Sequence, residues 1–139
     1  MTAKVRAADV SVGEELKAWQ YRVTREDLVA YANASGDQNP IHQNEEFAKQ
    51  VGLPDVISHG MFTMAKIGQY VTDWAGDPAA VVRIQTRFTQ MVIVPKDAGN
   101  TVTVTGKVTG KDGNRVSLNL EATVGDLNVG KAEAEVELA

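Results

Sequence analysis

The sequence predicts an α+β fold, with helices in its first half and an antiparallel sheet in its second. Three observations carry that reading. Small and apolar residues recur at helical spacing from His59 or Gly60 to Ala75. Beyond about residue 100 the apolar period falls to two. Glycine-bearing turns, Gly110-Lys111-Asp112-Gly113-Asn114 and Gly125-Asp126-Leu127-Asn128, separate the alternating runs. A long helix laid on one face of an antiparallel sheet satisfies all three.

Taken in chain order, Leu16 to Val23 reads as a first strand. Thr24-Arg25-Glu26-Asp27 reads as a helix start, because a threonine oxygen accepts from a free N–H and acidic residues suit the positive helix end. That helix runs to about Ser35, with Leu28, Tyr31 and Ala32 on one face. Gly36 to Ile41 reads as a loop, since Pro40 disfavours helix at Asn39. Asn44-Glu45-Glu46 starts a short helix that Gly52 closes, and Leu53 to Ser58 is a second loop. The long helix follows, and its expected buried face is Met61, Met64, Ala65, Gly68, Val71, Thr72 and Ala75. An interior glycine costs a helix about 1 kcal/mol against alanine, so Gly68 is expected to serve close packing. Gly76 and Pro78 end this helix. A strand over about Val81 to Val92 leads to Pro95, and three alternating runs follow. They bury Val102, Val104 and Val108, then Val116, Leu118 and Leu120, then Ala132, Ala134, Val136 and Leu138.

Residues 1–139 are expected to form one domain, with 43% apolar residues to fill one core. No apolar run approaches the roughly 20 residues of a membrane-spanning helix. Met1 to Arg6 carries some positive charge without an apolar run behind it, which argues against a secretory leader and makes the cytoplasm the default. The absence of cysteine removes disulfides, thiolate nucleophiles and cysteine-bound metals. Formal net charge is −4, and the 14 basic residues are scattered, which disfavours nucleic acid as a partner. His42 and His59 are the only histidines, so proton chemistry near neutral pH has few other candidates.

Gly36-Asp37-Gln38-Asn39-Pro40-Ile41-His42 holds a carboxylate and an imidazole in a loop stiffened by proline. Such a pair can exchange protons if both reach one substrate or water. On composition alone the same residues also make an ordinary turn. Ser58-His59-Gly60-Met61 stands at the start of the long helix, where unpaired N–H groups and the helix dipole can hold an anion. There the plain alternative is simple capping. The spacing of Asp37, His42 and His59 matches no zinc signature, so no metal and no cofactor are expected. Met61 and Met64 read as core filler.

The run Tyr31 to His42, then Gly52-Leu53, then His59-Gly60-Met61, resembles the hydratase-2 motif of the MaoC-like dehydratase family in order and spacing. The likeness continues through Thr72 to Pro78 and Val81 to Val94, where it is most similar to the HadB-type catalytic subunit of (3R)-hydroxyacyl-ACP dehydratase. The resemblance implies a hot-dog fold, a long central helix wrapped by a curved antiparallel sheet. It implies Asp37 and His42 as the catalytic pair, Asn39 as a residue that orients the site, and Gly60 as the backbone donor to the thioester carbonyl. Some family members carry serine where Ala65 stands here, so that hydroxyl is missing. No role carries over to His59.

The implied activity is (R)-specific hydration of trans-2-enoyl thioesters, or the reverse dehydration, in fatty-acid elongation including the mycolic-acid type. The implied substrates are acyl-ACP or acyl-CoA thioesters, and the implied assembly is a homodimer or a heterodimer with a related hot-dog subunit. His42 would take the C2 proton and Asp37 would protonate the departing hydroxyl, which requires a protonated carboxyl that burial would favour. The alternatives are a non-catalytic acyl-binding subunit of a heterodimer, which would lack the Asp/His pair, and a hot-dog thioesterase, which would release free thiol.

Overall fold

The alternating runs pair as expected, and each buries its apolar face against the long helix. The structure is a computed structural model and describes residues 4–139. Residues 1–3, the start of the stretch weighed above as a leader, lie outside the described residues. In chain order the elements are β1 (Glu15–Val23), α1 (Arg25–Ser35), α2 (Glu45–Gln50), α3 (Gly60–Ala75), β2 (Val81–Phe88), β3 (Asn100–Asp112), β4 (Arg115–Val124) and β5 (Leu127–Glu137). The five strands form one sheet in the order β1-β3-β4-β5-β2, antiparallel at every step. Register shifts between Leu16 and Trp19, Val81 and Arg83, Val108 and Gly110, and Ala122 and Thr123 bend the strands. Such irregularities add local twist, which lets the sheet curl around α3.

Val102, Val104, Val108, Val116, Leu118, Leu120, Ala132, Ala134 and Val136 are all buried, as the alternation requires. The buried face of α3 differs from the expected one. Val71 and Ala75 are buried as expected, but the rest of the face is Thr63, Ile67 and Tyr70. Met61 is 56% exposed, Ala65 is exposed, and Met64, Gly68 and Thr72 are half-buried. The small residues had been placed inward because they permit close approach. Instead the bulkier stripe meets the sheet, and the small residues leave an apolar outer face on α3.

Gly68 is accordingly not a close-packing residue within this chain, since a Cβ there would meet only an Ile84 methyl at 3.9 Å. The glycine that admits the helix lies in the sheet. A Cβ on Gly106 would stand 2.9 Å from Leu120 and 3.3 Å from both Leu16 and Tyr70. Tyr70 also donates its hydroxyl to the carbonyl of Lys17 in the edge strand β1, at 2.8 Å.

Two further differences bear on the site. The strand expected over Val81 to Val92 ends at Phe88, and Ile93 makes only an isolated bridge to Ile57. The loop expected over Gly36 to Ile41 tightens into a 3-10 turn at Pro40–His42. No helix among the described residues is long and apolar enough to cross a membrane.

Candidate active site

The first wall of the site hangs from α1. Thr24 and Asp27 form a reciprocal capping box that fixes where this helix begins. Gly36 ends it in a left-handed conformation, φ 84°, which glycine adopts without a side-chain penalty. The chain then folds through successive side-chain turns. The Ser35 hydroxyl accepts from Asp37 N–H at 3.2 Å, the Asp37 carboxylate from Asn39 N–H at 3.2 Å, and the Asn39 side chain from Ile41 N–H at 3.2 Å. Pro40 supplies its preset φ at the start of the 3-10 turn, and the turn points His42 inward.

The second wall is the stretch before α3. Its Ser58 N–H donates to the Val92 carbonyl, and Ile57 N–H donates to the Ile41 carbonyl. Arg25 ties this stretch to α1 and to residues beyond β2. Its guanidinium meets Asp55 at 2.7 Å, Glu45 at 3.3 Å and the Val94 carbonyl at 3.0 Å. The Ile57 carbonyl is thereby held 2.7 Å from His42 Nδ1. A carbonyl only accepts, so Nδ1 carries the hydrogen and Nε2 keeps its lone pair. Burial pushes the His42 imidazole below its usual pKa; the Ile57 hydrogen bond raises it, the His59 ring lowers it further, and Asp37 raises it. His42 is therefore neutral near pH 7, with Nε2 free to accept a proton.

A cleft of about 360 Å³ opens beside His42. Gly60, Thr63, Phe88, Met91 and Val129 are among its lining residues. Gly60 is the first residue of α3, so its N–H has no partner within the helix and lies at the positive dipole end. The Phe88 ring lies over Gly60, 3.1 Å from where a Cβ would stand. The cleft thus combines apolar lining from Ile57, Phe88, Met91, Val92 and Val129 with the His42 imidazole and the first residue of α3. That arrangement suits an apolar chain ending in a polarised carbonyl.

The structure brings Asp37 and His42 together. One side-chain nitrogen or oxygen atom from each of Asp37, His42 and His59 lies within 4.8 Å of the other two. Gly60 lies beside them on the cleft wall. Asn39 is exposed, and its side chain is spent on the turn, so it reaches the site only through the loop. Asp37 is exposed in the single chain. The cover invoked above for a proton-donating carboxyl is therefore not supplied by this chain, because the loop projects outward from α1.

His59 went unassigned in the sequence and belongs to this group. It is 1% exposed, donates Nε2–H to the Asp37 carbonyl at 3.1 Å, and stacks on His42 with ring centroids 3.8 Å apart. The segment Phe88 to Val92, read as strand, also lines the cleft. No periodic signal marked the change, because polar residues already recur at Arg83, Gln85, Thr86 and Arg87 within the strand. The Asp37–His42–His59 group has the compactness of a metal site. Its stacked rings, 24° from parallel, keep their in-plane lone pairs from converging on one ion.

Comparison with known proteins gives this geometry its setting. A family model described as "MaoC like domain" matches residues 8–126. The chain belongs to this MaoC-like family. It is 44% identical over 78 residues to 3-hydroxyacyl-thioester dehydratase X of Mycobacterium tuberculosis, covering 56% of this chain and 27% of that protein. A solved MaoC-like dehydratase superposes with a TM-score of 0.94 at 37% identity, over 96% of this chain and 42% of that one. R-hydratase PhaJ1 of Pseudomonas aeruginosa superposes with a TM-score of 0.86 at 25% identity, over 99% of this chain and 87% of that one. The hot-dog fold expected of this MaoC-like chain is the fold it has. The HadBC (3R-hydroxyacyl-ACP dehydratase) complex of M. tuberculosis shares that fold at a TM-score of 0.70 and 18% identity, over 89% of this chain and 95% of that one. The chain spans about a quarter of the length of dehydratase X.

Proposed function

We propose that this chain is an (R)-specific enoyl-thioester hydratase, equally a (3R)-hydroxyacyl-thioester dehydratase, working as one hot-dog unit over residues 1–139 in cytoplasmic fatty-acid elongation. The observation that carries the reading is a neutral His42 with a free Nε2, beside Asp37, on a cleft that ends at the first amide of α3. Dehydratase X and PhaJ1 bear names for the same chemistry.

Dehydration must remove a C2 proton and a C3 hydroxyl. The C2 proton becomes acidic only if the thioester oxygen is stabilised as negative charge builds on it. Gly60 N–H, backed by the dipole of α3, supplies that stabilisation, worth about 3 kcal/mol for one such donor. His42 Nε2 takes the C2 proton, and its Nδ1–H bond to Ile57 holds the ring while charge develops. Asp37 gives a proton to the departing hydroxyl, which leaves as water. The resulting imidazolium and carboxylate exchange a proton through solvent to reset the pair. In hydration the same groups hold and activate water.

The substrate is an acyl-ACP or acyl-CoA thioester, and the assembly is a homodimer or a heterodimer with a related hot-dog subunit. The exposed apolar residues Met61 on α3 and Val82 and Phe88 on the edge strand β2 support such pairing. A subunit closing over this face would also cover Asp37.

The test is hydration of C4 to long-chain trans-2-enoyl thioesters on both carriers, with the chain alone and co-expressed with candidate hot-dog subunits. Asp37→Asn and His42→Ala should each abolish most turnover while leaving the fold intact. Near-normal rates in either folded variant would defeat the assignment. Release of free thiol would move the chain to the thioesterases.

A further inference from the structure

We infer that His59 is a positioning residue that locks the Asp37 loop against His42. The inference rests on the hydratase reading above. Residues 36–39 are held mostly from within. Gly36 N–H and the Gln38 side chain bond to α1, and the Asp37 and Asn39 groups bond to their own turn. Among the described residues, their one hydrogen bond across to the start of α3 is His59 Nε2–H to the Asp37 carbonyl, at 3.1 Å. Without it the carboxylate-bearing loop would keep its bonds to α1 and to the Pro40–His42 turn, including Gln43 to Gln38 at 2.9 Å, but would lose its direct tie to the start of α3.

The same ring contacts the other member of the pair. His59 stacks on His42 at 3.8 Å and 24°, and Tyr31 of α1 meets its edge at 4.8 Å and 65°. One buried ring therefore touches the Asp37 backbone, the His42 face and α1 together. Its position next to Gly60 adds the helix amide to the same rigid group.

The state of the ring also follows. A carbonyl accepts, so Nε2 bears the hydrogen and the lone pair falls on Nδ1. His59 Nδ1 is buried without a hydrogen-bond partner. An orphaned buried acceptor is costly, and an apolar side chain of similar size would avoid that cost. The imidazole is thus explained by its one N–H and its flat face, not by space filling.

Nitrogen-15 NMR of the unaltered protein reads the tautomers directly. The expected result is Nε2–H on His59 and Nδ1–H on His42; an Nδ1–H tautomer at His59 overturns the inference. Variants add a kinetic reading. His59→Leu removes the donor, and misplacement of this size should lower kcat about 100-fold with KM changed less than about threefold. His59→Gln restores an N–H at similar reach and should recover most of the loss. A folded Leu variant at wild-type kcat, or a Gln variant no better than Leu, overturns the inference. If Leu does not fold, the tautomer result and the Gln variant decide. If the unaltered chain, alone and with a co-expressed hot-dog subunit, hydrates no enoyl thioester, the hydratase reading fails, while the tautomer measurement still tests the lock.

Discussion

Replacing Gly60 with proline and, separately, with alanine compares the site with and without one backbone N–H. Proline suits the first position of a helix, where the amide has no intrahelical partner. The residue before a proline must be extended, and His59 already is, at φ −56° and ψ 135°. Both substitutions introduce the same Cβ, 3.1 to 3.3 Å from three atoms of the Phe88 ring. Phe88 is 46% exposed, so it can retreat by a few tenths of an ångström. The two variants should therefore fold with stabilities within about 1 kcal/mol of each other, measured by urea unfolding. They differ at the amide, where alanine keeps an N–H and proline puts its ring Cδ in that place. Loss of one donor to a developing oxyanion costs about 2.7–4 kcal/mol, or 10²- to 10³-fold in kcat. Gly60→Pro should fall below Gly60→Ala by that factor in the rate of enoyl-thioester hydration. Equal rates for two folded variants would refute the role of this amide.

Other outcomes follow from the same contacts. Because burial lowers the His42 pKa, the acidic limb of kcat/KM should inflect below about pH 6.5; an inflection above that value would contradict a buried neutral base. The stability consequence has the same sign. The unfolded chain takes up this proton first, so the contribution is complete above about pH 6.5 and is lost as pH falls toward the folded value, as urea melts across that window would show. Arg25→Met strands Asp55 and frees the stretch bearing Ile57. It should cost about 1–3 kcal/mol and reduce kcat, and an unchanged melt would show that the ion pairs are idle. Gly106→Ala should lose about 1–3 kcal/mol through overpacking against Leu120, Leu16 and Tyr70, with a stable variant refuting the proposed helix–sheet approach.

The sheet was legible in the sequence because alternation and burial are the same fact there. Each run from Val102 to Leu138 has one face that must leave water. The helix caps at Thr24 and Asn44 were legible for a local reason: their side chains satisfy amides three residues away. The inward face of α3 was legible only at Val71 and Ala75. Its small residues and its bulky stripe both repeat at helical spacing, and the choice between them depends on the partner surface, which a periodic pattern does not contain. The Asp37–His42 loop could be read from Pro40 and the family pattern. The place of His59 could not, because its bond to the Asp37 carbonyl joins segments that only the fold brings together. Asp37's exposure was likewise hidden, since residue type says nothing of which way a loop projects.

The most direct test of the account is to incubate the chain, alone and with a co-expressed hot-dog subunit, with a trans-2-enoyl thioester in D₂O and to identify the product. The account predicts a 3-hydroxyacyl thioester of R configuration carrying one deuterium at C2, with the thioester bond intact. Recovery of unchanged substrate, an S product, or free thiol would contradict it.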